Sequence, residues 1–281
     1  MTFSAGSAWL GGLALLAGVG IGWAVRAFLA RRSAASVYAL EDELKRRDEE
    51  LKNVQTLLAE TSLTDALTGA HNRRFVDAAI GTLLAPARRA SRTGDPPPEH
   101  VALMLAEVDD FDRIDASGRE IGDALLRDTV RALQPVVRGG TVIARWTEIA
   151  FLVIARIRFA GEARSLAQRL RASVAENVRT PPGAGGRPVT LSIGFSIEPL
   201  SRAHPHLASF RDHLGLVESA LRRAQAQGGN RAVGWRVNED ALDFEIGVRG
   251  ESDVAALLRT NPDDAEAQGL ISPTVERHDP A

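Results

Sequence analysis

The sequence predicts an α/β fold with a mixed central sheet, preceded by a membrane-spanning helix and a coiled-coil helix. Strand-like apolar runs occupy residues 101–108, 141–146, 149–156 and 189–196. Amphipathic helical patterns occupy residues 74–90, 121–137, 161–178 and 210–227. Strands that alternate with amphipathic helices indicate an α/β layer fold. Only Thr147 and Glu148 separate the second and third strands, which indicates a hairpin and therefore a sheet that is not all parallel.

The composition is that of an ordinary globular protein. The 281 residues suggest one domain with additional segments, and 44% hydrophobic residues suffice for a packed core. A formal net charge of -2 gives no general attraction to nucleic acid, and we expect no nucleic-acid partner. The absence of cysteine excludes disulfides and thiolate metal sites.

The first segment, residues 1–32, is predicted to be a transmembrane anchor. Residues 8–25 form an uncharged apolar run about long enough to cross a bilayer core. Arg26, Arg31 and Arg32 follow the run, so the positive-inside rule places the N-terminus outside and the remaining chain in the cytoplasm. A cleaved signal peptide is the alternative, but such peptides carry basic residues before the apolar run. We expect a single-pass protein of the bacterial inner (cytoplasmic) membrane.

The second segment, residues 33–60, is predicted to be a coiled-coil stalk. Apolar residues recur at heptad spacing on two interleaved positions: Val37, Leu44, Leu51 and Leu58, with Leu40 and Val54. Arg47 interrupts this seam once, and the other positions are densely charged. We predict a parallel homodimer through this segment. The alternative is a single amphipathic helix that packs against its own domain.

The last segment, residues 236–281, has an acidic excess and little sustained apolar periodicity. Such a composition is typical of solvated, disordered chain. We therefore expect an acidic, mostly disordered tail, with a short helix around residues 253–259 as its one ordered element. The globular domain is expected to end near residue 235.

Five segments in the globular domain, residues 61–235, form an ordered set of motifs. They are DALTGAHNRRF, EVDDFDRIDASGREIGDALL, ARWTEIAF, VTLSIGFS and ALRRAQAQGGNR. In this order they resemble the GGDEF domain of diguanylate cyclases. The resemblance implies the GGDEF-type nucleotide-cyclase palm fold, a mixed central sheet flanked by helices. It also implies a relation to enzymes that join two GTP molecules into cyclic di-GMP with divalent metal.

The catalytic motif itself is largely replaced in this comparison. The family's first metal-binding aspartate falls on Glu107, which we regard as a vestigial metal position. The Gly-Gly-Asp-Glu-Phe element falls on residues 147–151, which read Thr-Glu-Ile-Ala-Phe. Ile149 and Ala150 thus stand at the acidic positions, and neither can bind Mg²⁺, which takes oxygen ligands. A β-branched Thr147 at a glycine site also disfavours a positive φ.

We therefore expect no catalytic residues, and regard Glu107, Glu148, Ile149 and Ala150 as vestigial. A slipped chain in which Glu148 serves as the metal ligand is the alternative. Strand alternation argues against it, because a slip of one residue turns the side chain to the opposite face.

Four positions are candidates for nucleotide binding through the resemblance. The guanine-contacting asparagine falls on Asp115, in a loop shortened by one residue. Asp123 retains the other guanine-contacting carboxylate, with an N-cap or turn role as its alternative. Asn72 contacts ribose or phosphate, or braces the turn beside it. Arg138 keeps the arginine of the family's R-x-x-D product-inhibition site, with an ordinary surface arginine as the alternative.

Two further replacements bear on the same chemistry. The aspartate of the R-x-x-D site falls on Thr141, and the family's phosphate-facing lysine falls on Gln225. Loss of the lysine removes a positive charge that would meet a triphosphate.

These features predict a membrane-anchored, non-catalytic regulatory or interaction protein in, or derived from, cyclic di-GMP signalling. Its partner would be another protein or an active cyclase. A receptor for GTP or cyclic di-GMP is one alternative, and an active diguanylate cyclase that uses Glu107 and Glu148 is another. No cofactor is expected, apart from Mg²⁺ if nucleotide binding survives.

Overall fold

The computed structural model describes residues 43–54, 61–93, 100–181, 185–201 and 203–275. The chain divides into two units, Met1–Ser62 and Leu63–Ala281. The predicted anchor lies outside the described residues. Within the described ranges, no helix is long and apolar enough to cross a membrane.

The described part of the first unit is a helix, α1, over residues 43–54. Its seam residues Leu44, Leu51 and Val54 are 64%, 58% and 54% exposed. Residues 33–42 and 55–60 of the predicted stalk lie outside the described ranges. Dimerisation through this helix requires a second chain and stays a prediction.

The second unit contains one seven-stranded sheet in the order β1-β3-β4-β2-β5-β6-β7. Its strands are β1 His71–Asn72, β2 His100–Val108, β3 Val142–Arg145, β4 Ala150–Ile157, β5 Leu191–Glu198, β6 Ala232–Val237 and β7 Ile271–Val275. The β1–β3 and β5–β6 pairs are parallel and the other four are antiparallel. The mixed sheet and the β3–β4 hairpin are therefore confirmed. The sequence predicted β2 to β5 but not β1, β6 or β7.

Helices cover both faces of this sheet because its strand residues alternate between two apolar cores. The helices are α2 Arg73–Thr93, α3 Phe111–Asp115, α4 Arg119–Leu133, α5 Gly161–Asn177 and α6 Phe210–Ala226. Met104, Phe151 and Ile193 pack in one core with α4 and α5. Leu103 and Leu152 pack in the other core with α2 and α6.

Helix α6 lies unusually close to β5 at Gly194. A Cβ at Gly194 would be 2.0 Å from the Val217 carbonyl oxygen and 2.5 Å from the Leu221 nitrogen. Only glycine therefore permits this helix-to-strand approach.

The prediction of a mostly disordered tail is wrong. Residues after β6 form α7 Glu239–Arg249, α8 Glu251–Thr260, α9 Pro262–Ala267 and β7. β7 pairs antiparallel with β6, and Leu258 of α8 packs with Leu216 of α6 in a third apolar core. These helices are too short to show sustained periodicity in sequence, and their apolar residues find partners only once α6 is in place.

Two ion pairs also join this segment to α6, one with the acid in the segment and one with the arginine in the segment. Arg223 of α6 pairs with Glu266 through both guanidinium nitrogens. Arg259 Nη1 donates to Asp212 Oδ1 at 2.9 Å. The segment therefore forms an integral third layer on α6.

Candidate functional site

The β3–β4 hairpin carries the segment that replaces the glycine-rich motif. The Trp146 nitrogen donates to the Ala150 carbonyl oxygen at 2.9 Å, which closes the loop. Thr147 Oγ1 accepts from the nitrogens of Ile149 at 3.3 Å and Ala150 at 3.0 Å. Among the described residues, Asp110 and Asn230 are the non-glycine positions with positive φ. The Thr147 hydroxyl group thus stabilises this turn by accepting two backbone hydrogen bonds, and Thr147 itself does not adopt a left-handed backbone conformation.

Glu107 lies near the end of β2, directly between Ala150 of β4 and Ser192 of β5. Residues opposite each other in a sheet share a face, so Glu107 has a methyl group on one side and a hydroxyl on the other. Gln225 Nε2 of α6 donates to Glu107 Oε1 at 2.7 Å. The structure therefore brings together two positions that the resemblance assigned to metal and phosphate, as an amide–carboxylate pair.

Asp109 is a central residue of this edge that sequence reasoning missed. Its Oδ2 accepts from Thr190 Oγ1 at 2.7 Å and from the Asn230 nitrogen at 2.9 Å. Its Oδ1 accepts from Ser192 Oγ at 2.6 Å. Both carboxylate oxygens are thus engaged in tying β2 to β5 and to the turn before β6. The hydroxyl residues Thr190 and Ser192, which flank the first residue of β5, were the signal available in the sequence.

Glu148 lies in the hairpin loop before the first residue of β4 and is exposed. Its carbonyl oxygen accepts from Arg145 Nη2 at 2.7 Å, while its carboxylate has no partner within the described ranges. The described residues contain no group of three or more His, Cys, Asp or Glu side chains that could hold a metal ion. The structure does not join Glu148 and Glu107 into such a group.

The two predicted guanine-contacting carboxylates have different surroundings. Asp115 is the last residue of α3 and is exposed. A Cβ added at Gly122 would lie 2.3 Å from the Asp115 Oδ1 atom. Asp123 lies inside α4, whose N-cap is Gly118, so the N-cap and turn roles considered for Asp123 are wrong. The Asp123 carboxylate is half-buried and has no hydrogen-bond partner in the described part of the chain.

Asn72 serves the turn that precedes α2. Its Oδ1 accepts from the Phe75 nitrogen at 3.1 Å, which caps the helix, and its Nδ2 donates to the Thr64 carbonyl oxygen at 3.3 Å. Nearby, Asp65 Oδ1 accepts from Thr68 Oγ1 at 2.6 Å and from Arg145 Nη1 at 3.3 Å. The DALTGAHN segment therefore braces β3, and Asn72 makes the turn contacts that were one of its two alternatives.

Arg138 lies at the opposite end of the sheet from Glu107. It lines a groove of about 1260 Å³ together with His100, the first residue of β2. Arg138 is exposed, and its guanidinium has no partner within the described ranges. The structure therefore does not bring Arg138 together with Asn72, Asp115 or Asp123 in this groove.

Residues 62–231 match the family model described as "Diguanylate cyclase, GGDEF domain". The chain belongs to the GGDEF family. Among curated relatives of this family, it is 32% identical over 194 residues to the response regulator PleD of Caulobacter vibrioides, covering 68% of this chain and 40% of PleD. It is 29% identical over 171 residues to the probable diguanylate cyclase DgcC of Escherichia coli, covering 60% of this chain and 42% of DgcC.

Solved GGDEF structures share the fold. The FimX GGDEF domain of Pseudomonas aeruginosa superposes with a TM-score of 0.52 at 20% identity, covering 61% of this chain and 99% of that domain. The diguanylate cyclase SiaD of the same organism, solved with its activator SiaC, gives 0.51 at 24% identity, covering 82% of this chain and 86% of SiaD. The family match ends at residue 231, so β6, the helices α7 to α9 and β7 all lie beyond it.

Proposed function

We propose that this GGDEF protein is membrane-anchored and non-catalytic, and that it acts in cyclic di-GMP signalling through binding to another protein or to an active cyclase. The observation that carries the proposal is the environment of the Glu107 carboxylate. It faces Ala150 across the sheet and accepts a hydrogen bond from Gln225 at 2.7 Å.

The chemistry of cyclisation explains why this observation matters. Attack of a ribose hydroxyl on an α-phosphorus requires divalent metal to bridge phosphates and neutralise developing charge. Mg²⁺ requires oxygen ligands, which Ile149 and Ala150 do not supply. Asp109, the next carboxylate on the same face, already accepts three hydrogen bonds. Gln225 provides a neutral amide at the position to which the resemblance assigns a phosphate-facing lysine.

The test is a calorimetric titration of the purified full-length chain with GTP in Mg²⁺, followed by an assay for cyclic di-GMP. We expect no product. Metal-dependent product that disappears in Glu107→Ala and persists in Asp112→Ala, an exposed control, would overturn the proposal. That result would favour the active cyclase with Glu107 and Glu148.

A receptor for GTP or cyclic di-GMP is the second candidate. Arg138 is exposed with an unpaired guanidinium, and the Asp123 carboxylate is also without a partner among the described residues. Saturable binding without turnover, weakened by Arg138→Ala, would support this candidate.

A further inference from the structure

The groove at the Arg138 end of the sheet has a floor that the C-terminal strands complete. Phe195 of β5 lies opposite Gly234 of β6, which in turn lies opposite Thr274 of β7. A Cβ at Gly234 would be 2.2 Å from the Phe195 ring, so this ring lies flat on the glycine. Ile197 and Arg236 continue the same face toward the strand ends.

The walls of this groove carry an excess of positive charge. Five arginines line it, against two glutamates: Arg138, Arg156, Arg158, Arg164 and Arg236, with Glu162 and Glu239. Both glutamates are engaged, because Glu162 Oε2 accepts from the Arg158 nitrogen at 2.8 Å and Glu239 Oε2 accepts from Ser201 Oγ at 2.6 Å. The guanidinium groups of all these arginines except Arg164 are without partners in the described part of the chain.

An apolar surface lies beside these charges. Phe159 projects from the loop between β4 and α5 with 60% of its surface exposed. Leu200 and Val237 also line the groove. Guanidinium groups form paired hydrogen bonds to phosphate and stack on planar rings, and an exposed phenylalanine offers a further stacking surface.

We propose that this groove is a binding site for a phosphate-bearing ligand with an apolar or aromatic body. Its volume of about 1260 Å³ exceeds the 300–1,000 Å³ that is typical of small-ligand pockets, so a ligand much larger than a phosphate ion fits. The five arginines of its lining can pair with more than one anionic group. Arg236, Glu239 and Thr274 lie beyond residues 62–231, so this groove is not a property of the matched GGDEF region alone. The soluble source of such a ligand is a nucleotide, and the membrane source is a phospholipid headgroup.

The experiment measures binding to the purified full-length chain and to two double variants of equal charge. Arg158→Gln with Arg236→Gln removes two groove arginines. Arg131→Gln with Arg211→Gln removes two exposed arginines outside the groove and serves as the control. The probes are inorganic phosphate, GTP, cyclic di-GMP, and vesicles with and without phosphatidylglycerol. Melting temperatures check that each variant is folded.

We expect saturable binding of a phosphate-bearing probe that the groove variant weakens at least about tenfold and the control leaves unchanged, because each lost arginine removes charge-assisted hydrogen bonds. A nucleotide that binds in this way identifies the soluble source, and binding confined to phosphatidylglycerol vesicles identifies the membrane source. Binding that both variants weaken equally overturns the proposal, as does binding that the groove variant leaves unchanged while a separate Arg138→Gln variant abolishes it. No binding of any probe also overturns the proposal. None of these outcomes depends on whether GTP is turned over at Glu107.

Discussion

Individual side chains around Glu107 bind one another at positions to which the resemblance assigns metal and phosphate. Gln225 donates to Glu107, and Asp109 accepts from two hydroxyl groups and one backbone nitrogen. A carboxylate whose oxygens are engaged within the protein gives up those bonds when it ligates a metal. Gln225, to which the resemblance assigns a lysine, therefore carries no positive charge and supplies a hydrogen-bond donor to Glu107.

Replacing Asp109 tests its structural role directly. Asp109→Ala leaves Thr190, Ser192 and the Asn230 nitrogen without their common acceptor, so we expect the free energy of unfolding to fall by about 3 kcal/mol. Urea denaturation measures the loss. Asp112→Ala, at an exposed position nearby, should change stability by less than about 0.5 kcal/mol. Equal effects of the two changes would show that the Asp109 bonds contribute little.

A second residue-scale feature is the buried acid Glu198 on β5. Its carboxylate contacts His213 of α6 and accepts from Arg88 Nε of α2 at 2.8 Å. Burial raises the pKa of Glu198, but the hydrogen bonds and charges of His213 and Arg88 outweigh burial and hold that pKa below its ordinary value. The carboxylate therefore stabilises the contact of two helices with β5.

The pH dependence of stability follows from this depressed pKa. The Glu198 contribution is present above its unfolded pKa of 4.5 and is lost as the pH falls through the lower folded value. We expect the free energy of unfolding to drop between about pH 5 and pH 3, and to drop less steeply in Glu198→Gln. Urea unfolding across this range measures both slopes, with exposed Glu218→Gln as the control. Parallel slopes for the natural chain and Glu198→Gln would contradict the assignment.

At the scale of elements, the C-terminal helices give α6 a second buried face. α6 packs on β5 with one side and on α8 with the other. His204 adds a polar tie, because its two ring nitrogens contact Asp243 of α7 at 2.8 Å and Glu251 of α8 at 3.0 Å. Burial lowers the pKa of His204, but these two acids outweigh burial and raise the pKa above its ordinary value.

A core substitution in α8 tests whether this segment is part of the folded unit. Leu258 is fully buried in the third core. We expect Leu258→Ala to lower the free energy of unfolding by about 2–4 kcal/mol, because it leaves a cavity between α8 and α6. Chemical denaturation measures this change, and Leu257→Ala, only partly buried beside it, should have a smaller effect. If neither variant lowered the free energy of unfolding, the result would indicate that the C-terminal segment is not part of the folded unit.

Over the whole molecule, the two ends of the sheet differ in chemistry. At the Glu107 end, the carboxylates of Glu107 and Asp109 accept hydrogen bonds from neighbouring side chains. At the other end, five arginines line a groove whose floor β7 helps to build, and within the described ranges four of their guanidinium groups have no partner. The GGDEF fold is thus kept, and β7 extends the sheet beyond the region that matches the family.

At the scale of the whole molecule, we also predict that the chain forms a dimer through α1. A charge on its apolar seam should prevent pairing, so we expect Leu51→Lys to convert a dimer of the full-length chain into a monomer in detergent. Sedimentation analysis measures the mass. Glu49→Lys places the same side chain off the seam and should leave the dimer intact. A monomeric natural chain, or a Leu51→Lys chain that still forms a dimer, would contradict the predicted coiled-coil dimer.

The sequence by itself determined the central strands, the hairpin and the absence of acidic side chains at positions 149 and 150. Alternation and helical periodicity are local properties, and the identity of Ile149 and Ala150 excludes them as metal ligands whatever surrounds them. The turn role of Asn72 was likewise within reach, because helix caps depend on residues a few positions apart.

Only the tertiary structure decided the partners of Asp109, the order of the C-terminal segment and the groove. Each depends on residues far apart in the chain, such as Asp109 with Asn230 or Gly234 with Thr274. Short helices in an acidic segment show no sustained pattern, since the apolar surface that stabilises them belongs to α6. Their folding is a consequence of long-range burial, which local sequence patterns do not encode.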